Sequence, residues 1–275
     1  MNWESSRDEL RRTRNIGSRE SEKTLRLGKV VLADSPSKLG DEVWTVYEQL
    51  FIAALDCGHH LEAESYLVKL ETKFPESVRV KRLRGMKMES EERYEDAAKW
   101  YDQLLEKDEP NAPIRKRKIA ILMTERKRME AIKELTEYLE SFMSDQEAWL
   151  QLSDLHLQQM DYKRAAFCME ELLLCDPDNY LFHQHYAEML YTMGGVENID
   201  MARKYFAQSL KLNPNNMRAL YGFHLTCISL PKKKDRDTDK WAAWAEQQII
   251  EKYKAGDQDD KVAIIEEMLR TMRQS

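Results

Sequence analysis

Residues 145 to 177 read DQEAWLQLSDLHLQQMDYKRAAFCMEELLLCDP. Large, small and turn residues recur here at the offsets of two antiparallel helices, one unit of a stack. With Trp149 at position 4 of a 34-residue frame, Leu152 falls at 7, Ser153 at 8, His156 at 11, Tyr162 at 17, Ala165 at 20, Met169 at 24, Leu172 at 27 and Pro177 at 32. Small residues at 8 and 20 let two backbones approach, and large ones fill the space between successive helices. Pro177 follows the second helix because proline cannot continue it.

The same frame fits elsewhere. Tyr47, Leu50, Ala54, Ala63, Leu67 and Pro75 form one unit, and Gly85, Tyr94, Ala97, Tyr101 and Leu104 the next, with one extra residue before Pro110. A weaker unit has Ile119 where a small residue is expected, then Ala131, Leu135 and Tyr138. Ala187, Ala202, Phe206, Ser209 and Pro214 make a fifth, whose interhelical turn GGVENID carries three extra residues. Turn insertions are cheap. A sixth first helix starts at about Asn216 with Gly222 at position 8, its partner delayed by LPKKKDRDTDK until about Trp241, and residues 261 to 272 form a closing helix. The pattern resembles the tetratricopeptide repeat. A single unit cannot bury its apolar face alone, so the expected fold is all-α, a right-handed superhelix or α-solenoid with helical caps. The expected layout is an N-terminal helical cap or arm over 1–43, an array of five to six units over 44–230, a charged loop over 231–240 and C-terminal capping helices over 241–275. Residues 1–43 hold two helical patterns, Trp3 to Arg14 and Ser18 to Ala33.

Hydrophobic residues are 42% and charged residues 33% of the 275, and nine glycines with seven prolines interrupt the chain little, which suits a helical solenoid. The longest apolar run, Leu50 to Leu55, is far below the roughly 20 residues needed to cross a bilayer, and the amino terminus has no apolar signal core. No membrane span and no entry into the secretory lumen are expected. Cys57, Cys168, Cys175 and Cys227 lie in helix patterns without metal-ligand spacing and read as reduced core thiols.

No phosphate loop, nucleophile elbow, HExxH or CxxC occurs, so no enzyme, cofactor or metal is expected. His59, His60, His183 and His185 read as turn or groove residues and His156 as core. The basic runs RVKRLR (79–84) and RKRK (115–118) fall at matching points of two consecutive first helices, with Arg82 and Lys116 both at position 5. Arg82, Lys116 and Arg117 side by side would make a cationic strip able to hold carboxylates or phosphates. The bland alternative is a solvated helix face balanced by glutamates. Position 9 of the units holds Met86, Ala120, Asp154, Glu188 and Phe223, so the asparagine of a carboxylate clamp is absent. A net charge of −6 argues against generic nucleic-acid binding. The run Lys232 to Lys234, followed by Asp235, Asp237 and Asp239, reads as an exposed loop.

Stretches 37–56, 79–105, 115–121, 145–149, 161–173 and 203–213, with the GGVEN insertion, resemble the subunit 2 family of the endoplasmic reticulum membrane protein complex, in register from 37 to about 223. The resemblance implies a non-catalytic scaffold at the cytoplasmic face of the reticulum. It would be peripheral to the membrane and support energy-independent insertion of tail-anchored and multipass proteins. It also implies partners: membrane subunits three and five in the groove, and soluble subunit eight or nine on another surface. The groove residues expected to hold a partner segment are Arg82, Lys116, Arg117, Gln151 and Gln184. The rival expectation is a freestanding soluble adaptor for acidic peptide segments, with an enzyme regulatory subunit as a third.

Overall fold

The computed structural model describes residues 2–34, 36–108, 110–231, 237–256 and 259–274. Among them there are fifteen α-helices and no strand. The chain divides into two compact units, Met1–Lys127 and Arg128–Ser275. The division falls at the repeat whose match is weakest in sequence.

The first unit holds α1 (Trp3–Ile16), α2 (Ser21–Asp34), α3 (Glu42–Asp56), α4 (His60–Lys73), α5 (Val78–Ser90), α6 (Tyr94–Leu105) and α7 (Ala112–Thr124), with a 3-10 turn at Pro36–Leu39. Each helix packs on the next. Leu10, Leu25 and Val31 are buried with Leu50, Phe51, Leu67 and Leu83 in one core. The first two helices are therefore seated on α3 despite their low apolar content, since one narrow stripe suffices. Trp3 Nε1 donates to Val31 O at 3.1 Å, and Arg11 and Arg14 both reach Glu42.

The second unit holds α8 (Arg128–Ser141), α9 (Gln146–Gln158), α10 (Tyr162–Cys175), α11 (Tyr180–Met193), α12 (Val196–Leu212), α13 (Met217–Ser229), α14 (Thr238–Ala255) and α15 (Asp259–Gln274). In the stretch quoted first, Asp145 caps α9 by accepting from Ala148 N at 3.2 Å and from Tyr138 Oη at 2.7 Å. Ser153 and Ala165 are buried at the α9–α10 crossing, close enough for Ser153 Oγ to donate to Ala165 O at 3.2 Å. The lysine run 232–234 lies outside the described residues.

The repeat period is written in the backbone. Gly58, Glu92, Arg126, Met160 and Gly194, each 34 residues after the last, all have positive φ, between 57° and 71°. Each follows a first helix at positive φ, although Gly194, with ψ −173°, is extended rather than left-handed helical. In the four turns before Gly194, the following N–H returns to a carbonyl five residues back, as in His59 N to Ala54 O at 2.8 Å and Asp161 N to His156 O at 3.0 Å. A second helix then begins two residues later, at His60, Tyr94, Arg128, Tyr162 and Val196.

That schedule corrects the reading of GGVENID. The turn itself is of ordinary length, and the three extra residues lengthen α12 to 17 residues. At about 100° per residue, three residues make roughly five-sixths of a turn, so the buried face is nearly preserved. Ala202 and Phe206 stay in the core.

Close approach is equally specific. A Cβ on Gly85 would clash with the Tyr101 ring, and one on Gly222 with the Phe206 ring.

Candidate partner-binding surfaces

In the first unit the basic runs are mostly neutralised from neighbouring helices. Arg79 meets Glu48 at 2.8 Å, Lys81 meets Glu76 at 2.8 Å, Lys87 meets Glu64 at 2.7 Å, and Lys118 meets Asp102 at 2.7 Å. Arg84 pairs with Glu71 through two nitrogens, at 2.6 and 2.5 Å. Arg117 is drawn inward: its Nε is 3.3 Å from Glu89 Oε1, which also accepts from Tyr101 Oη at 2.5 Å. Burial raises the Glu89 carboxyl above its ordinary range, against the lowering influence of the Tyr101 hydrogen bond and the Arg117 charge. Burial and the Glu89 charge likewise push the Tyr101 hydroxyl up.

Arg82 differs. It is half-buried, and its Nε is shielded from solvent without a hydrogen-bond partner among the described residues. It lines a hollow of about 520 Å³ with Arg79, Asp108 and the first turn of α7, Ala112 to Ile114. Asn111 caps that turn through Ile114 N at 3.3 Å. Lys116, half-buried, lies on α7 just beyond Ile114. The structure thus places Arg82 beside the start of the helix that carries Lys116, and gives Arg117 to Glu89.

In the second unit, Gln151 is half-buried on α9. Gln184 is only 3% exposed, and its amide is spent internally. Its Nε2 donates to Glu188 Oε1 at 2.9 Å, and its Oε1 accepts from Asn216 Nδ2 at 2.7 Å. Asn216 caps α13 through Ala219 N at 3.2 Å and also donates to Ser209 Oγ at 3.2 Å. Glu188 receives Arg218 through Nε at 2.5 Å and Nη2 at 3.0 Å. Burial opposes ionisation of Glu188, but His185, Arg218 and Gln184 together hold its carboxyl below the usual range. Glu188 and Arg218 line a hollow of about 450 Å³ with Tyr191 and Tyr221. By sequence Glu188 stands only where a clamp would have asparagine; its partner 30 residues on leaves no local signal.

The cysteines divide. Cys168 and Cys227 are buried, and burial pushes the Cys168 thiol up to about 12. Cys57 is half-buried and Cys175 exposed, which corrects the expectation that all four are core thiols. His183 is buried, with Nε2 2.7 Å from Pro177 O. Among the described residues no group of three His, Cys, Asp or Glu converges, and no helix is long and apolar enough to cross a membrane.

A family model described as the EMC2 TPR-like repeat domain matches residues 68–211. The Xenopus tropicalis protein named ER membrane protein complex subunit 2 is 45% identical over 284 residues, covering 99% of this chain and 96% of that protein. The Dictyostelium discoideum protein of the same name is 32% identical, covering 98% and 88%. The similarity thus extends beyond the 37–223 span picked out by motif, to both ends of the chain. Among solved structures, the C-terminal part of a TPR repeat-containing protein from Cytophaga hutchinsonii aligns over 96% of this chain and 99% of its own. Its TM-score is 0.61 and its identity 9%, a likeness of fold.

Proposed function

The chain belongs to the ER membrane protein complex subunit 2 family, and from that membership we propose that it is a non-catalytic scaffold subunit of such a complex, held peripherally at the cytoplasmic face of the reticulum. The observation that carries this reading is 45% identity sustained over 99% of the chain with a protein of that name. A stack of helix pairs presents long side-chain surfaces and suits docking. The scaffold supports insertion of tail-anchored and multipass proteins indirectly, by holding cytosolic segments of membrane subunits three and five and the soluble subunit eight or nine.

Within the first unit, the Arg82 hollow and Lys116 form the surface for an acidic or amphipathic cytosolic segment. Most of the neighbouring cations already have carboxylate partners, whereas Arg82 Nε has none among the described residues. Gln151, half-buried on α9, is a separate candidate contact on the second unit. Gln184 acts from inside, by holding Glu188, and Arg117 by holding Glu89.

The test is Arg82→Glu combined with Lys116→Glu, expressed in cells and recovered in gentle detergent. Recovery of the membrane subunits should fall several-fold while the melting curve of the isolated chain is unchanged. Undiminished recovery would remove this surface from the interface.

A further inference from the structure

A second surface lies on the second unit, in a groove of about 580 Å³ walled by α8 and α10 and floored by α9. Its lining is largely apolar, with Ile132 and Met143 on one side, Trp149 on the floor and Phe167 on the other side. Phe167 is 53% exposed and Met143 is 71% exposed, high values for side chains of this size. The groove is pre-formed: Trp149 Nε1 donates to Met143 O at 2.8 Å, fixing the α8–α9 turn, and Trp149 and Phe167 meet edge to face with centroids 6.2 Å apart. At the floor, His156 is 5% exposed and its Nδ1 has no hydrogen-bond partner among the described residues.

Charge gives the occupant its chemistry. Glu140 and Glu171 stand on opposite walls, and neither has an ion-pair partner among the described residues. The cation lining the groove, Arg164, is directed to Asp161 at 3.5 Å. The second unit has 18 Lys and Arg against 25 Asp and Glu, a formal charge of −7, and the first 25 against 24, a charge of +1.

We propose that this groove receives an amphipathic helix of a partner protein, with large apolar side chains at i, i+4 and i+7 and lysine or arginine on both flanks. The apolar ridge fills the space over Trp149 and between Met143 and Phe167, as anchors do in helix-in-groove recognition. The flanking cations meet Glu140 and Glu171, which sets orientation and disfavours acidic helices. This assignment does not rest on the Arg82 surface and uses none of its residues.

The test uses the intact chain and a labelled Leu/Lys amphipathic peptide of about 18 residues, long enough to hold a helix, with a Leu/Glu counterpart of the same apolar pattern. Fluorescence anisotropy should show the Leu/Lys peptide binding and the Leu/Glu peptide at least ~10-fold weaker. Phe167→Ser, and separately Glu140→Gln with Glu171→Gln, should each weaken binding ~10-fold. Glu22→Gln with Glu95→Gln, which removes two exposed charges from α2 and α6, should leave it unchanged. Equal binding of both peptides, or binding indifferent to Phe167→Ser and to the groove glutamates, overturns the proposal. So does a groove closed by a second copy, seen as self-association in sedimentation that Phe167→Ser abolishes. A partition of the chain onto anionic vesicles that Phe167→Ser abolishes would overturn it as well.

Discussion

The two units finish their surfaces differently. In the first, charge is matched between neighbouring segments: Arg11 and Arg14 to Glu42, Arg19 of the α1–α2 turn to Asp56, Lys29 to Glu62, Arg79 to Glu48 and Arg84 to Glu71. The second holds the net negative charge and also most of the exposed large apolar side chains, among them Met129, Met143, Met160, Phe167 and Leu174. A surface whose charges are internally matched is largely complete, whereas carboxylates without cations beside uncovered apolar groups call for a partner. The first unit retains an exception in Arg82, and the second retains a groove.

The largest effect should come from the floor of that groove. Trp149→Ala should cost about 3 to 5 kcal/mol, because a 9%-exposed indole and its bond to Met143 O are lost together. Thermal melting followed by circular dichroism measures it, and an unchanged curve would refute the packing described for α9. Ala165→Leu should overpack the α9–α10 crossing by about 1 to 3 kcal/mol, since Ala165 is fully buried under Ser153.

Acid should also find the second unit. Burial lowers His224 below the ordinary imidazole value of 6.5; Glu246, whose Oε1 lies 3.8 Å away, opposes this, and Arg273 reinforces it. A histidine held neutral in the fold but protonated when unfolded contributes stability that is complete above pH 6.5 and lost as pH falls below it. His156 is lowered for the same first reason, burial. Glu89, raised by burial in the first unit, works in the opposite direction above pH 4.5. The comparison must therefore be made by variant: His224→Gln should flatten the loss of melting temperature between pH 7 and pH 5, and an identical slope would show that His224 does not titrate on unfolding.

Smaller still is the ion-pair contribution that distinguishes the first unit. A double-mutant cycle of Arg84→Gln and Glu71→Gln should give a coupling of about 0.5 to 1 kcal/mol, as expected for a two-point but partly exposed pair. It should shrink in 1 M salt. At the bottom of the scale, Met160→Gly should stabilise by a few tenths to about 1 kcal/mol. Met160 has positive φ at the repeat offset that Gly58 fills, in a turn closed by the same five-back hydrogen bond, and its side chain is 76% exposed.

The helix pairs were legible because each packing position leaves its mark on a single residue. Ser153, Ala165, Gly85 and Pro177 announce the crossing or the stop that they occupy, and the 34-residue recurrence of left-handed turns follows the same frame. Whatever depends on a second residue far along the chain was not legible. Gln184 looked like a groove residue until Asn216, 32 positions later, took its carbonyl; Arg117 looked like part of a strip until Glu89 and Tyr101 claimed it. Cys168 and Cys175 share a helix face by spacing, yet only the first is buried. The insertion near Gly194 was read as loop because turns absorb length cheaply, but three residues nearly complete a helical turn and are absorbed in α12 as well.

The measurement that bears most directly on the scaffold reading is affinity purification of the intact chain from membranes in gentle detergent, with mass spectrometry and stoichiometry of everything that copurifies. A complex subunit should bring down a fixed set of polytopic membrane proteins in near-equal amounts, and Arg82→Glu with Lys116→Glu should deplete that set. Recovery of scattered soluble proteins in varying amounts, with no polytopic set, would contradict the reading and leave a soluble adaptor in its place.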